Sequence, residues 1–290
     1  MIKRIPGLLS AFLCIALLLA SCTQPAPSGE PAAVTTPAVQ GKTPTNAAVD
    51  NGKTLSVFAA ASLTEAFTEL GKLFEEQNPG LKLSFNFAGS QQLAQQLGQD
   101  APADVFASAN QAQMDAVIGV GRVSADQVRA LCGNKLVVIF AKFNPGKLYQ
   151  LKDLEREGLK LVLADPAVPA GQYSLEFLDK ASNLPEYGET FKANVLKNVV
   201  SYEENIRSVL TKVALGEADA GIVYASDLST AQGMDVGVME ISSALNIDAL
   251  YAIAPVQDSS QAALAASFIE MALSQAGQEI LARYGFKMVQ

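Results

Sequence analysis

Apolar positions along this chain switch repeatedly between the two-residue spacing of strands and the three-to-four-residue spacing of helices. Thr54 to Ala60 predicts a strand, followed by Ser62 and an amphipathic helix reaching about Gln77. Leu81 to Phe87 alternates as a second strand, and Ala88-Gly89-Ser90 leads into a helix through about Leu97. Asp104 to Ala107 predicts a third short strand. Lys135 to Ala141 and Leu159 to Ala164 are continuous apolar runs of the kind buried on both faces. Helices are predicted over Gln172 to Ser182 and Glu203 to Leu215, strands over Ala220 to Tyr224 and Leu250 to Ala254, and a terminal helix over about Ser260 to Tyr284.

Alternation of this kind predicts an α/β architecture with mixed, mostly parallel sheets flanked by helices. Two βα series separated by a long extended strand, with a last helix free to return to the first series, predict two lobes and a cleft between them. The expected limits are residues 52–131 and 256–290 for lobe 1 and 132–255 for lobe 2, with hinges near Cys132 and Pro255. The pattern alone fits many α/β proteins.

The ends add an address. Lys3 and Arg4 precede an apolar run from about Leu8 to Leu19, too short to span a bilayer comfortably but the right size for a secretory signal. It closes on Leu19-Ala20-Ser21-Cys22, which looks like a bacterial lipobox: residues 1–21 would be removed and Cys22 would carry the lipid. An ordinary signal peptide with an incidental cysteine is the plainer alternative. Residues 22–51 are dominated by Pro, Ala, Thr, Gly and Ser and predict a flexible tether.

Composition narrows the chemistry. The chain contains no histidine, which removes the commonest general base and metal ligand from any mechanism. Of its three cysteines only Cys132 lies in the body of the mature chain, so an internal disulfide is excluded. A net charge of −8 without a basic run argues against nucleic acid as a partner. It does not argue against an anion, because a buried site responds to nearby dipoles rather than to surface charge screened over about 8 Å.

Candidate chemistry sits where strands give way to helices. Ser62 and Ser90 each follow a strand and open a helix, at the carboxyl ends of strands where ligands of open α/β sheets settle. Helix N-termini expose unpaired N–H groups and a partial positive charge, so two facing one cleft make an anion site. Ser62-Leu63-Thr64-Glu65 also reads as a capping box, and both roles remain open for Ser62. Tyr224 is equally compatible with packing at a strand end. A serine hydrolase is disfavoured: neither serine has a Ser-x-x-Lys partner, and the chain has no Gly-x-Ser-x-Gly elbow.

Several blocks, in collinear order over nearly the whole mature body, resemble the periplasmic molybdate-binding proteins of ABC importers. They are Val57-Phe58-Ala59-Ala60-Ala61-Ser62-Leu63, Phe87-Ala88-Gly89-Ser90, Ala101-Pro102-Ala103-Asp104-Val105-Phe106, Asp165-Pro166 with Val168-Pro169-Ala170-Gly171, Gly221-Ile222-Val223-Tyr224 with Ser226-Asp227, and Arg283-Tyr284-Gly285-Phe286. The resemblance implies a type II periplasmic-binding-protein fold without enzymatic activity or cofactor, holding molybdate or tungstate between its lobes. It also implies delivery to an ABC permease with a cytoplasmic ATPase, by a monomer held to the membrane through its lipid anchor. Carried over residue by residue, Ser62 and Ser90 would donate from side chain and backbone, Ala170 and Ile206 from backbone N–H groups, and Tyr224 from its phenol. Ile206 stands where relatives more often have valine, and Gly89 and Gln91 flank Ser90 where relatives often have more serines. A sulfate or other tetrahedral oxyanion receptor is the alternative within the same fold. Glu203 and Glu204, expected in the first turn of the helix carrying Ile206, would have to point their carboxylates away from a dianion.

Overall fold

The computed structural model describes residues 53–230 and 236–289. The signal segment, Cys22 and the tether lie outside the described residues. The first half of the body runs β1 (Lys53–Ala60), a short 3-10 turn (Ala61–Leu63), α1 (Thr64–Gln77), β2 (Leu81–Ala88), α2 (Ser90–Gly98), β3 (Val105–Ser108), α3 (Gln111–Gly119) and β4 (Arg129–Asn134). The chain continues through β5 (Leu136–Ala141), β6 (Leu161–Ala164), α4 (Pro169–Ser182), α5 (Phe191–Lys197), β7 (Val199–Glu203), α6 (Ile206–Ala214), β8 (Ala220–Tyr224) and β9 (Val236–Glu240). It returns as β10 (Ala249–Pro255), α7 (Ala262–Leu273), α8 (Gln275–Arg283) and β11 (Lys287–Met288).

Two sheets organise these elements, in the orders β11-β4-β10-β3-β1-β2 and β7-β6-β8-β5-β9. Alternation along β1 sends Leu55, Val57 and Ala59 to one face of the first sheet and Phe58 to the other. The first face is covered by α1 and α7, where Phe67 and Phe74 meet Phe268 edge-on with ring centroids 5.7 and 5.5 Å away. On the opposite face Phe58 and Phe106 pack with Leu93 and Leu97 of α2 and Met114 and Val117 of α3. Helix α1 turns Ala66, Phe67, Leu70 and Phe74 inward, one apolar stripe at helical spacing.

Four expectations from the sequence need correction. The sheets are mixed, as expected, but not mostly parallel: β1 pairs in parallel with β2 and β3, and β6 with β7 and β8, whereas the pairings of β10, β4, β11, β5 and β9 are antiparallel. Apart from the terminal β11, the antiparallel strands are those that carry the chain from one sheet to the other and back. The passages do not fall at Cys132 and Pro255, because β4 stays in the first sheet through Asn134 and β10 joins it from Ala249. The chain therefore changes sheets at Lys135 and again over residues 241–248. Asn246 ties the two passages: its Oδ1 accepts from the N–H groups of Leu136 (2.9 Å) and Ile247 (2.9 Å), while Nδ2 donates to the carbonyls of Leu136 (2.8 Å) and Ile241 (3.2 Å).

The predicted terminal helix is two helices broken at Ser274, whose backbone is extended and whose hydroxyl caps α8 by accepting from the Gly277 N–H at 3.2 Å. The helix expected from Glu203 instead starts at Ile206, because Val199–Glu203 is a strand on the edge of the second sheet and Asn205 caps α6 by accepting from the Ser208 N–H. Among the described residues no helix is long and apolar enough to cross a membrane.

Candidate functional site

Four helix N-termini converge on one small cavity. Ser62 lies in the 3-10 turn that leads β1 into α1, Ser90 is the first residue of α2, Ala170 the second of α4 and Ile206 the first of α6. N–H groups at such positions have no carbonyl of their own helix to bond, and each helix adds a partial positive charge there. With Tyr224 at the end of β8, all five line the same cavity, together with Ala60, Ala61, Ala88, Gly89, Ala109, Val168 and Pro169. The structure thus brings together every sequence-derived candidate of the body.

Each of these elements leaves the carboxyl end of a strand, which is why residues so distant in sequence meet. Pro169 at the first position of α4 presets the helical turn. Gly171 next to Ala170 allows that helix to sit on the preceding loop, since a Cβ there would fall 2.0 Å from the Asp165 carbonyl oxygen. Gly89 permits a similar approach across the cleft, where a Cβ would lie 2.5 Å from the carbonyl oxygen of Glu204.

The space is compact. Traced by the centre of a water-sized sphere it measures about 10 Å³. A sphere of that volume has a radius of roughly 1.3 Å, and a water radius of roughly 1.4 Å added to it gives a space about 2.7 Å in radius. Such a space has the scale of a small inorganic ion rather than that of a sugar or an amino acid. No lining side chain is charged.

Hydrogen-bond directions fix what the cavity presents. Ser90 Oγ accepts from the N–H of Ala109 at 3.0 Å, which leaves the hydroxyl proton for the cavity. Ser62 Oγ lies 2.8 Å from the phenol oxygen of Tyr251. Its capping box with Glu65 does not form; no side chain caps α1, and the Glu65 carboxylate pairs instead with Arg207. The phenol oxygen of Tyr224 is buried and has no partner among the described residues, so it is a donor free for a ligand. Burial, then the neighbouring Tyr251 ring, push the Tyr224 phenol well above its usual pKa of 10.0, so it stays protonated and can donate.

Charged side chains nearby are turned aside. Burial works upward on Glu203, but Lys212 and Ser201 bond its carboxylate, at 2.6 and 2.5 Å, and hold it below the ordinary glutamate pKa. Glu204 Oε2 accepts from Gln92 Nε2 at 3.0 Å. Arg207, one residue past Ile206, reaches away from the cavity: its Nε donates to the Ala61 carbonyl at 3.2 Å and lies 3.4 Å from Asp227 Oδ1.

The halves meet around the cavity through further contacts. Gln91 Nε2 donates to the Glu204 carbonyl at 2.8 Å, and Asn110 Nδ2 donates to Gln172 Oε1 at 3.2 Å. Reading the sequence missed Ala109, Tyr251 and Asn110. Ala109 was within reach, since it follows β3, the third parallel strand ending at the site. Tyr251 was not, because it comes from an antiparallel strand far along the chain.

Comparison with known proteins agrees with this geometry. The model of the bacterial extracellular solute-binding protein family matches residues 55–287. The molybdate-binding protein ModA of Mycobacterium tuberculosis is 38% identical over 281 residues, covering 97% of this chain and 96% of that protein. Its Escherichia coli namesake is 33% identical over 247 residues, 83% of this chain and 91% of that one. Among solved structures, the substrate-binding domain of a putative molybdenum ABC transporter from Clostridium difficile matches with a TM-score of 0.60 at 30% identity, covering 82% of this chain and 99% of the other. The sulfate-binding protein SubI of M. tuberculosis shares the fold, with a TM-score of 0.73 at 17% identity over 82% and 88% of the chains. On its sequence and on the cleft it builds, the chain belongs to the family of bacterial extracellular solute-binding proteins.

Proposed function

We propose that this protein is an exported receptor that captures molybdate or tungstate and delivers it to an ABC importer. The observation that carries the reading is a small, uncharged cavity rimmed by four helix N-termini and three hydroxyls, one of them a buried phenol without a partner among the described residues. Ser62 and Ser90 donate from hydroxyl and backbone, Ala170 and Ile206 from backbone N–H groups, and Tyr224 from its phenol. A fully deprotonated tetrahedral dianion offers an acceptor to every one of them and requires no acceptor in return. Hydrogen phosphate, which keeps a proton near neutral pH, has nowhere to place it. Each charge-assisted bond contributes about 1.5–3 kcal/mol, enough in sum for micromolar to nanomolar affinity after ordering and closure are subtracted.

Cys22 would hold the mature protein to the membrane as a lipidated first residue, with residues 22–51 as the leash and the monomer as the working unit. The body would close on its ligand by bending at Lys135 and over residues 241–248, and the closed form would engage the permease.

Titration calorimetry of the exported chain with molybdate, tungstate, sulfate and phosphate tests the assignment. Tight binding of molybdate or tungstate with sulfate much weaker is expected, together with about 2.7 kcal/mol of stabilisation at a hundredfold the dissociation constant. Tight sulfate binding with no response to molybdate would transfer the protein to the sulfate receptors, whose donor-only chemistry is the same.

A further inference from the structure

We infer that Tyr251 and Asn134 are positioning residues that lock the Ser62 hydroxyl as a donor, and that this relay, acting through Ser62, excludes protonated oxyanions. The inference rests on the oxyanion reading above and adds residues outside the cavity wall.

The direction of the relay follows from its far end. Asn134, the last residue of β4, accepts the Lys135 N–H on its Oδ1 at 2.9 Å, which identifies the other side-chain atom as the amide nitrogen. That Nδ2 donates to Ser226 Oγ at 2.8 Å and lies 3.4 Å from the Tyr251 phenol oxygen. Geometry allows either oxygen of the Ser62–Tyr251 pair, 2.8 Å apart, to donate; the Asn134 N–H at the phenol oxygen favours the arrangement in which the phenol proton points to Ser62 Oγ. Ser62 then has one of its two lone pairs occupied from behind, which turns its proton rather than that lone pair to the cavity. Ser90 is held the same way by the Ala109 N–H. A hydroxyl free to rotate could accept a proton from a ligand as readily as give one, so it would not discriminate between sulfate and hydrogen phosphate. The two ions have nearly equal size, and a cavity of fixed dimensions cannot separate them by shape.

Asn134, Tyr251 and Ser226 are all buried, and Tyr251 is clamped edge-on between Tyr224 and Phe286 at centroid distances of 5.8 and 5.4 Å. Its ring position is therefore set by packing, and loss of the hydroxyl alone leaves the ring in place.

The test is Tyr251→Phe in the exported chain, titrated with molybdate, sulfate and phosphate, alone and combined with Ser62→Ala. The relay predicts a loss of roughly two- to tenfold in molybdate and sulfate affinity, a rise in phosphate affinity relative to sulfate, and no further loss when Tyr251→Phe is added to Ser62→Ala. Wild-type selectivity in a folded Tyr251→Phe protein would overturn the relay, as would a full additional loss on the Ser62→Ala background. Should that variant fail to fold, Asn134→Ala probes the other end, where the phosphate-to-sulfate ratio must move in the same direction; an unchanged ratio overturns the inference. A wild-type protein that binds none of the three anions would instead refute the oxyanion reading, and the relay with it.

Discussion

Replacing Tyr224 by Phe separates a ligand group from a structural one, because the two roles predict opposite effects on the empty protein. The phenol oxygen is buried and makes no hydrogen bond within the described residues. Its removal therefore breaks no bond between protein groups, and the ring keeps its edge contact with Tyr251. A buried polar group without a partner costs about 1–3 kcal/mol, part of which water recovers in the empty cleft. The ligand-free variant should thus be as stable as wild type or more so, by up to about 1 kcal/mol, a rise of about 2–4 °C in melting temperature for a body of this size. Affinity should move the other way. One charge-assisted bond of about 1.5–3 kcal/mol corresponds to a loss of about 10- to 150-fold. Calorimetric titration with molybdate and a melting curve of the empty protein supply both numbers. Wild-type affinity in Tyr224→Phe would remove the phenol from the site. A fall of several degrees in the empty protein would show that the hydroxyl holds the fold instead.

Three further outcomes follow from the same geometry. Ser90→Ala should weaken oxyanion binding and also lower the stability of the empty protein by about 1–3 kcal/mol in urea, since the buried N–H of Ala109 loses its acceptor. Asn246→Ala strips four hydrogen bonds from the two passages between sheets and should reduce stability by about 2–4 kcal/mol, seen as a lower midpoint of thermal or urea unfolding. Burial raises Asp227 from 3.8 to about 6 despite Arg207 and the Tyr224 N–H, which work downward. The folded state therefore holds this proton more tightly than the unfolded chain; the resulting stability is fully present below pH 3.8 and is lost as pH rises to about 6. Asp227→Asn should flatten that part of the stability profile, and an unchanged slope between those pH values would count against it.

Much of the candidate site was legible because it is written in strand-to-helix junctions. Ser62 and Ser90 stand where a β-rich run ends and a helical period begins, and the physics of helix N-termini makes such places anion sites whatever the family. Ala170 and Ile206 contribute backbone only, so nothing in their side chains announces them, and they were reached through the resemblance alone. The passages between the sheets were misplaced for a different reason. Cys132 and Pro255 mark a change in local pattern, but membership of a sheet depends on pairing across more than a hundred residues, as in Tyr251 opposite Cys132. Glu203 misled because an acid before an apolar period reads as a helix start, whereas it closes an edge strand and is neutralised by Lys212. The break at Ser274 hides inside a run that is apolar at helical spacing on both sides.

Two of the proposed donor positions, Ala170 and Ile206, belong to the chain path rather than to any functional group that a codon change could swap. Point mutation can alter the three hydroxyls, but it cannot delete an N–H from the mouth of a helix unless proline or a displaced turn does so. Single substitutions can therefore retune the hydroxyl half of the shell, and with it the ranking of anions, while the backbone half keeps a general affinity for negative charge that is lost only if the helices themselves shift.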